Sequence, residues 1–100
     1  KPGKAVLNSE ARQDLMALAA TVKSGGKAWL IVGYTDNLGS EAVNLQLSRQ
    51  RAEAVKAVLK SAGIPAGKLS AKGMGSSNPI ASNASKSGRA QNRRVEIIQK

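Results

Sequence analysis

Apolar residues recur at every third or fourth position in two segments of the chain, which is the spacing that places them on one face of an α-helix. The first segment covers about residues 9–23 and opens with residue types that cap helix N-termini well. The second covers residues 44–62 and is followed by Gly63 and Pro65, in the order typical of a helix end. The pattern therefore predicts two amphipathic helices.

Three other segments have the residue types of β-strands. Residues 27–34 form an almost continuous apolar run, residues 68–73 are a shorter candidate, and residues 93–99 alternate between polar and apolar side chains. The order helix, strand, helix, strand, strand predicts an α/β (α+β) sandwich, in which helices pack on a small mixed sheet. Residues 75–88, before the last strand, are rich in Ser, Asn, Ala and Gly, and loops of that length are often functional.

The predicted order lacks a strand before the first helix. We expect that strand to lie mostly upstream of Lys4 or to be truncated, which leaves a sheet edge exposed and a homodimer through that edge open. The length of 100 residues and the absence of internal repeats predict a single domain over residues 1–100. Because the chain begins without Met and without a signal peptide, we expect an excised or processed domain with any anchor upstream.

Composition excludes several kinds of chemistry. The chain has no Cys and no His, so it has no disulfide, no thiolate zinc site and no histidine-based catalysis, and we expect neither a metal nor a cofactor. The formal net charge is +10, of which residues 51–100 carry +8. Such a balance favours an anionic polymer or surface as partner, although basic residues scattered over a solvated face would give the same composition.

One acidic and one basic residue are placed to act together. Asp36 lies in a turn directly after the apolar strand, and Arg51 follows on a helix face that it shares with Asn44, Leu47 and Ser48. A carboxylate and a guanidinium facing one pocket suit the ammonium and carboxylate of a zwitterionic amino-acid group. The structural alternatives are an Asx turn at Asp36 and a salt bridge from Arg51 that fastens the helix to the sheet.

The chain also contains five ordered sequence blocks: Gly33-Tyr34-Thr35-Asp36-x-x-Gly39, Asn44-x-x-Leu47-Ser48-x-x-Arg51-Ala52-x-x-Val55, Gly63-Ile64, Gly73-x-Gly75-x-x-x-Pro79 and Gly88-Arg89-x-x-Asn92-Arg93-Arg94-Val95-Glu96-Ile97. In residue type and order these blocks resemble the OmpA-like peptidoglycan-binding domain, found in OmpA porins, the peptidoglycan-associated lipoprotein and MotB. The resemblance implies a non-catalytic module of the Gram-negative periplasm. It would hold the meso-diaminopimelate residue of the peptidoglycan stem peptide and anchor a membrane-attached parent protein to the cell wall.

The same resemblance assigns roles to individual residues. Asp36 would take the ligand ammonium and Arg51 its carboxylate, Asn44 would add a polar contact, and Thr35 would flank the site. Leu47 and Ser48 would shape the pocket and the helix. Asn92 and Arg94 would be mainly structural, as would Arg93, for which a secondary ligand contact is also open.

Three departures from the family pattern bear on the site. Tyr34 stands where many members have His, Ser76 replaces a common acid, and the expected loss of the first strand would remove one wall of the pocket and weaken ligand binding. The alternatives are a nucleic-acid-binding domain, a cell-wall hydrolase, and an OmpA-like domain that mainly contacts other envelope proteins. Against the first, the chain has two aromatic residues, neither in a basic cluster, and no recognised RNA- or DNA-binding motif. The second lacks a paired carboxylate, so we expect no nucleic acid and no enzymatic activity.

Overall fold

Strands from both ends of the chain form one mixed sheet. The computed structural model describes residues 4–8 and 28–100, and within them the sheet order is β1-β4-β2-β3. The strands are β1 (Lys4–Asn8), β2 (Trp29–Gly33), β3 (Leu69–Gly73) and β4 (Arg94–Gln99). β4 is antiparallel to both β1 and β2, whereas β2 and β3 are parallel. The predicted mixed sheet is confirmed.

The first strand differs from the prediction. β1 begins at Lys4 and pairs with β4 along all five of its residues, from Lys4 opposite Ile98 to Asn8 opposite Arg94. The expectation of a strand lost upstream or truncated is therefore wrong, and β1 covers the edge of β4 that its loss would have exposed. Only three consecutive apolar residues mark β1, and its partner lies about ninety positions away, so local pattern does not reveal it.

The main helix, α1 (Glu41–Ser61), connects β2 to β3 and packs against both strands. It begins three residues earlier than predicted because Ser40 is its N-cap and accepts a hydrogen bond from the Val43 amide at 3.2 Å. At the other end, the amides of Gly63 and Ile64 donate to carbonyls of the last turn, and Gly63 has a positive φ of 103°. The glycine stop read from the sequence is therefore a Schellman-type C-cap.

The remaining helices are shorter. A single 3₁₀ turn (Ala66–Lys68) precedes β3. The helix α2 (Lys86–Asn92) lies at the end of the polar loop between β3 and β4. Arg93 is the C-cap of α2, so β4 begins one residue later than predicted. The helix predicted over residues 9–23 lies outside the described residues.

The core lies between α1 and one face of the sheet. It is built from aliphatic side chains around a single tryptophan, and its buried members are Trp29, Ile31, Ala52, Leu59, Ile64, Leu69, Val95 and Ile97. Beside this core, the backbones of α1 and the sheet approach each other closely at two glycines. Gly33 and Gly73 face each other across β2 and β3, and a Cβ atom on either would overlap Ser48 or its neighbour Arg49. The glycines thus let α1 cross the strand ends directly beside the candidate site.

The opposite face of β4 is buried as well. Arg94 and Glu96 form an ion pair there, with 2.7 Å between Arg94 Nε and Glu96 Oε2. The Arg94 guanidinium also lies 3.9 Å from the centroid of the Tyr34 ring and donates to the carbonyls of Asn78 and Asn92. Because its donors are engaged inside the domain, Arg94 has the structural role that the resemblance implied.

Candidate ligand-binding site

The site begins where β2 ends. The Thr35 amide donates to the Gly75 carbonyl at 2.8 Å, and its hydroxyl donates to the Asp36 carbonyl at 2.8 Å, so the backbone leading to Asp36 is held on both sides. The Asp36 Oδ1 atom accepts the Leu38 amide at 3.1 Å, which makes an Asx turn. The turn-forming reading of Asp36 is therefore correct, but it accounts for only one of the two carboxylate oxygens.

The second oxygen of Asp36 pairs with an arginine that the sequence did not single out for it. Arg93 Nη1 lies 2.8 Å from Asp36 Oδ2, across 57 positions of the chain. Arg93 is at the end of α2, and its side chain is about one third exposed, whereas that of Asp36 is mostly buried. The salt bridge from Arg51 that stood as the structural alternative is not among the ion pairs of the described residues.

Burial and hydrogen bonding act in opposite directions on the Asp36 carboxyl. Burial raises its pKa, but the hydrogen bonds from Arg93 and the Leu38 amide, with the positive charges of Arg93 and Arg89, outweigh that effect. The net result is a pKa held below the usual range of an aspartate. Asp36 is therefore ionised at neutral pH and suited to face an ammonium group.

Arg51 brings a buried donor to the same place. Its guanidinium is half-buried on α1, and its Nη1 atom is fully buried with no hydrogen-bond partner among the described residues. Burial lowers the pKa of Arg51, the charge of Arg93 lowers it further, and Asp36 acts the other way, so the three groups share one electrostatic environment. A buried donor without an acceptor is costly, and an anionic ligand would satisfy it.

Asn44 and Ser48 hold the site together from the buried face of α1. Asn44 Nδ2 donates to the carbonyls of Leu38 and Asp36, at 3.1 and 3.4 Å, so its amide nitrogen supports the turn. The Ser48 hydroxyl donates to the Leu45 carbonyl and accepts the Gly75 amide, each at 2.9 Å. Since Gly75 in turn accepts from Thr35, Ser48 links the helix to the Asp36 turn through two hydrogen bonds.

Leu47 and Asn92 differ in how far their side chains are exposed to solvent. Leu47 is exposed on the outer side of α1, whereas Asn92 is fully buried. The Asn92 carboxamide accepts from the amides of Ile80 and Ala81 and donates to Ala81 and Asn83, so it organises the polar loop. The structural role of Asn92 is as the resemblance implied.

One pair of hydrogen bonds beside the site, between Glu41 and Ser76, was not identified from the sequence. Glu41, in the first turn of α1, accepts the Ser76 hydroxyl at 2.6 Å and the Ser76 amide at 3.4 Å. Ser76 stands where the family commonly has an acid, and here the acid is supplied by the helix instead. The serine at position 76, in place of the common acid, was the signal in the sequence that could have indicated this contact.

The described residues contain neither a candidate metal site nor a candidate membrane-spanning helix. No group of three or more His, Cys, Asp or Glu residues in the described part of the chain could hold a metal ion. Among those same residues, no helix is long and apolar enough to cross a membrane. What the structure brings together is one ionised carboxylate with Arg51 and Arg93, and such a set of fixed charges suits a charged, hydrogen-bonding ligand.

Comparison with known proteins identifies the family. Residues 1–93 match the family model described as "OmpA family", and the chain belongs to that family. It is 42% identical over 93 residues to the outer-membrane lipoprotein YfiB of Pseudomonas aeruginosa, covering 92% of this chain and 55% of that protein. It is 54% identical over 68 residues to the peptidoglycan-binding protein ArfA of Mycobacterium tuberculosis, covering 68% of this chain and 21% of ArfA.

A solved structure shows the same fold. The peptidoglycan-associated lipoprotein from Burkholderia pseudomallei superposes with a TM-score of 0.82 at 32% sequence identity, covering 91% of this chain and 78% of that one. The predicted fold class and the resemblance read from the sequence blocks are confirmed. The chain spans about half the length of the first relatives it matches, at 55%, 49% and 43%.

Proposed function

We propose that this domain binds peptidoglycan non-covalently, without catalysis, through the free amino-acid end of meso-diaminopimelate in the stem peptide. In that residue one end is built into the peptide, and the other end carries an ammonium and a carboxylate on one carbon. The observation that carries the proposal is the buried Nη1 atom of Arg51, which has no acceptor among residues 4–8 and 28–100, in the same electrostatic environment as the ionised Asp36. Such a site offers one charge of each sign to a ligand that has one of each.

Asp36 takes the ammonium in this proposal. Its Oδ1 atom stays with the Leu38 amide, which keeps the carboxylate in a fixed orientation. Its Oδ2 atom faces the partly exposed Arg93 and is the oxygen that a ligand can reach. Asp36 can therefore bind a cation without losing the turn that holds it.

Arg51 takes the carboxylate, and Arg93 is a second donor to the same group. Arg51 is positioned by α1, whose buried face also carries Asn44 and Ser48. Thr35 flanks the site as a backbone support, and Asn44 contributes through its hold on the Asp36 turn.

The names of the relatives support the wider role. The matches include a peptidoglycan-binding protein, a peptidoglycan-associated lipoprotein and an outer-membrane lipoprotein. We propose that this chain likewise acts in the periplasm, where it ties a membrane-attached parent protein to the wall. Contacts with other envelope proteins and a homodimer stay predictions.

The nucleic-acid alternative gains no support from the structure. Trp29 and Tyr34 are the only aromatic residues of the chain, and each is 7% exposed. Neither can stack on a base, so a single-stranded nucleic acid would have only charge to bind to.

The test is retention on insoluble peptidoglycan. We expect Asp36→Ala and Arg51→Ala each to lower the affinity by about tenfold to a hundredfold, as expected for the loss of a charge-assisted hydrogen bond. Both variants should stay folded, because Arg93 can be hydrated when Asp36 is removed and Arg51 makes no hydrogen bond within the described residues.

The matched control is Arg49→Ala, which removes an exposed arginine from the same helix. It should be retained like the unmodified chain, and circular dichroism should show that all four proteins are folded at the temperature of the retention assay. Unchanged retention of either site variant would contradict the assignment of that residue.

A further inference from the structure

The charges around the site are unequal. Asp36 is the acidic group that acts on Arg51, whereas Arg93 and Arg89 both act on Asp36 and Arg93 also acts on Arg51. One carboxylate therefore stands among three guanidinium groups. A ligand that supplied only a cation would leave this excess positive charge uncompensated.

Among the described residues, the hydrogen bonds around the site leave one buried donor without an acceptor. Both oxygens of Asp36 already have protein donors, at 3.1 Å from the Leu38 amide and 2.8 Å from Arg93. Arg51 Nη1 makes no hydrogen bond to either of these oxygens and has no acceptor among the described residues. The missing group is an acceptor that can serve Arg51 and Arg93 together.

We propose that the site requires an ionised carboxylate on the ligand, and that it discriminates against stem peptides in which this carboxylate of diaminopimelate is amidated. This inference rests on the proposed function and specifies its ligand further. A carboxylate has two acceptor oxygens and a full charge, so it can accept from Arg51 and Arg93 at once. A carboxamide has a single acceptor oxygen, no charge, and an NH₂ group that would point its hydrogens at a guanidinium donor.

Binding then proceeds by exchange of partners. The ligand ammonium takes the place of Arg93 on Asp36 Oδ2, and Arg93 turns to the ligand carboxylate that Arg51 already holds. Asp36 and Arg93 each have an oppositely charged partner before and after the exchange, so opening the Asp36–Arg93 ion pair leaves neither of them unpaired. Arg93 is suited to this movement because its side chain is about one third exposed. An amidated ligand would displace Arg93 and offer it no anion in return.

The experiment compares two stem peptides that differ only at this group. The whole chain is titrated by calorimetry with the meso-diaminopimelate tripeptide as free acid and with the same tripeptide amidated at its free carboxyl end. We expect the amidated peptide to bind about tenfold to a hundredfold more weakly, the range of a charge-assisted hydrogen bond.

The same pair of peptides is then titrated into two variants. In Arg51→Gln the ratio of the two affinities should shrink towards one, because the group that detects the charge is gone. In Arg49→Gln, the matched control on the exposed side of α1, the ratio should be unchanged. A loss of fold would lower both affinities without changing their ratio, so the ratio reports recognition.

The outcomes separate this inference from the proposed function. Equal affinity of the unmodified chain for the two peptides overturns the inference and leaves the proposed function standing. A full ratio retained in Arg51→Gln overturns the assignment of the discrimination to Arg51. Failure of the unmodified chain to bind either peptide overturns both the proposed function and this inference.

Discussion

Asp36 has a structural task in the fold and a binding task in the proposed function, divided between its two oxygens. Oδ1 holds the Leu38 amide and so shapes the turn after β2, whereas Oδ2 faces Arg93 at the surface. The sequence suggested the two tasks as competing readings. In the structure they are compatible because a carboxylate has acceptor capacity on both oxygens.

The depressed pKa of Asp36 predicts an acid-dependent loss of stability. A carboxyl whose folded-state pKa lies below its unfolded value stabilises the fold above the unfolded pKa, which is about 3.9 for aspartate, and loses that contribution as pH falls through the folded value. Asp36→Asn should therefore be less stable than the unmodified chain at neutral pH, and the difference should shrink as the pH falls below about 4.

The measurement is urea unfolding across the acid range, followed by fluorescence of Trp29, the single tryptophan of the chain. The control is Glu53→Gln, which removes an exposed carboxylate from α1. A stability difference between Asp36→Asn and the unmodified chain that stays constant with pH would contradict the role given to the Asp36–Arg93 pair.

Residue spacing pointed to two residues of the proposed site. Asp36 in a turn and Arg51 on the buried side of a helix were identified from position alone, and the structure places them in one electrostatic environment. The direct partner of Asp36 is nevertheless Arg93, from the far end of the chain. Local periodicity carries no information about which of several arginines a folded chain brings back to a given acid.

At the scale of elements, the contact between α1 and the ends of β2 and β3 positions the site. Gly33 and Gly73 leave the space into which the Ser48 turn of α1 fits, and Ser48 fastens Gly75 beside Thr35. The helix that carries Arg51 is thus set against the turn that carries Asp36.

Gly33→Ala should disturb both stability and binding. Its methyl group would overlap the Ser48 carbonyl, which is backbone and cannot rotate away, so α1 must shift. We expect a loss of about 1 to 3 kcal/mol in the free energy of unfolding, the usual cost of overpacking. Weaker retention on peptidoglycan should accompany it, because Arg51 moves with the helix.

Gly67→Ala is the matched control for this substitution. A Cβ atom at Gly67 has no neighbour within 4 Å, so the same chemical change meets open space. Denaturant unfolding and wall retention of Gly67→Ala should match the unmodified chain. Equal stability of Gly33→Ala and Gly67→Ala would show that α1 does not approach the sheet as closely as described.

For the whole molecule, the excess of basic residues acts over a longer range than the site. The 16 basic residues outnumber the 6 acidic ones, which leaves a net charge of +10, and most of this excess lies in the second half of the chain. Peptidoglycan stem peptides carry free carboxylates, so we expect charge to speed encounter and the Asp36 site to select the ligand.

Salt should therefore slow association more than it speeds dissociation. Raising the ionic strength from about 0.1 M to about 1 M shortens the Debye length from about 10 Å to about 3 Å, which screens distant lysines more than contacts in the site. We expect the association rate on immobilised peptidoglycan fragments to fall several-fold, with a smaller change in the dissociation rate.

A variant with less surface charge gives the comparison. Lys60→Gln combined with Lys72→Gln removes two exposed positive charges and should reduce the salt dependence of association. Its dissociation rate should equal that of the unmodified chain. An association rate that does not respond to salt would contradict a role for the net charge.

The sequence by itself determined the helix 44–62 and its end at Gly63, the apolar strand β2, the mixed sheet and the family, because periodicity, caps and ordered motifs are local properties. Only the tertiary structure decided that β1 covers β4, that Arg93 pairs with Asp36, and that Arg51 keeps a buried donor with no acceptor in the described part of the chain. These are contacts between residues far apart in the chain. They arise only when sheet pairing and helix packing have set the distances between side chains.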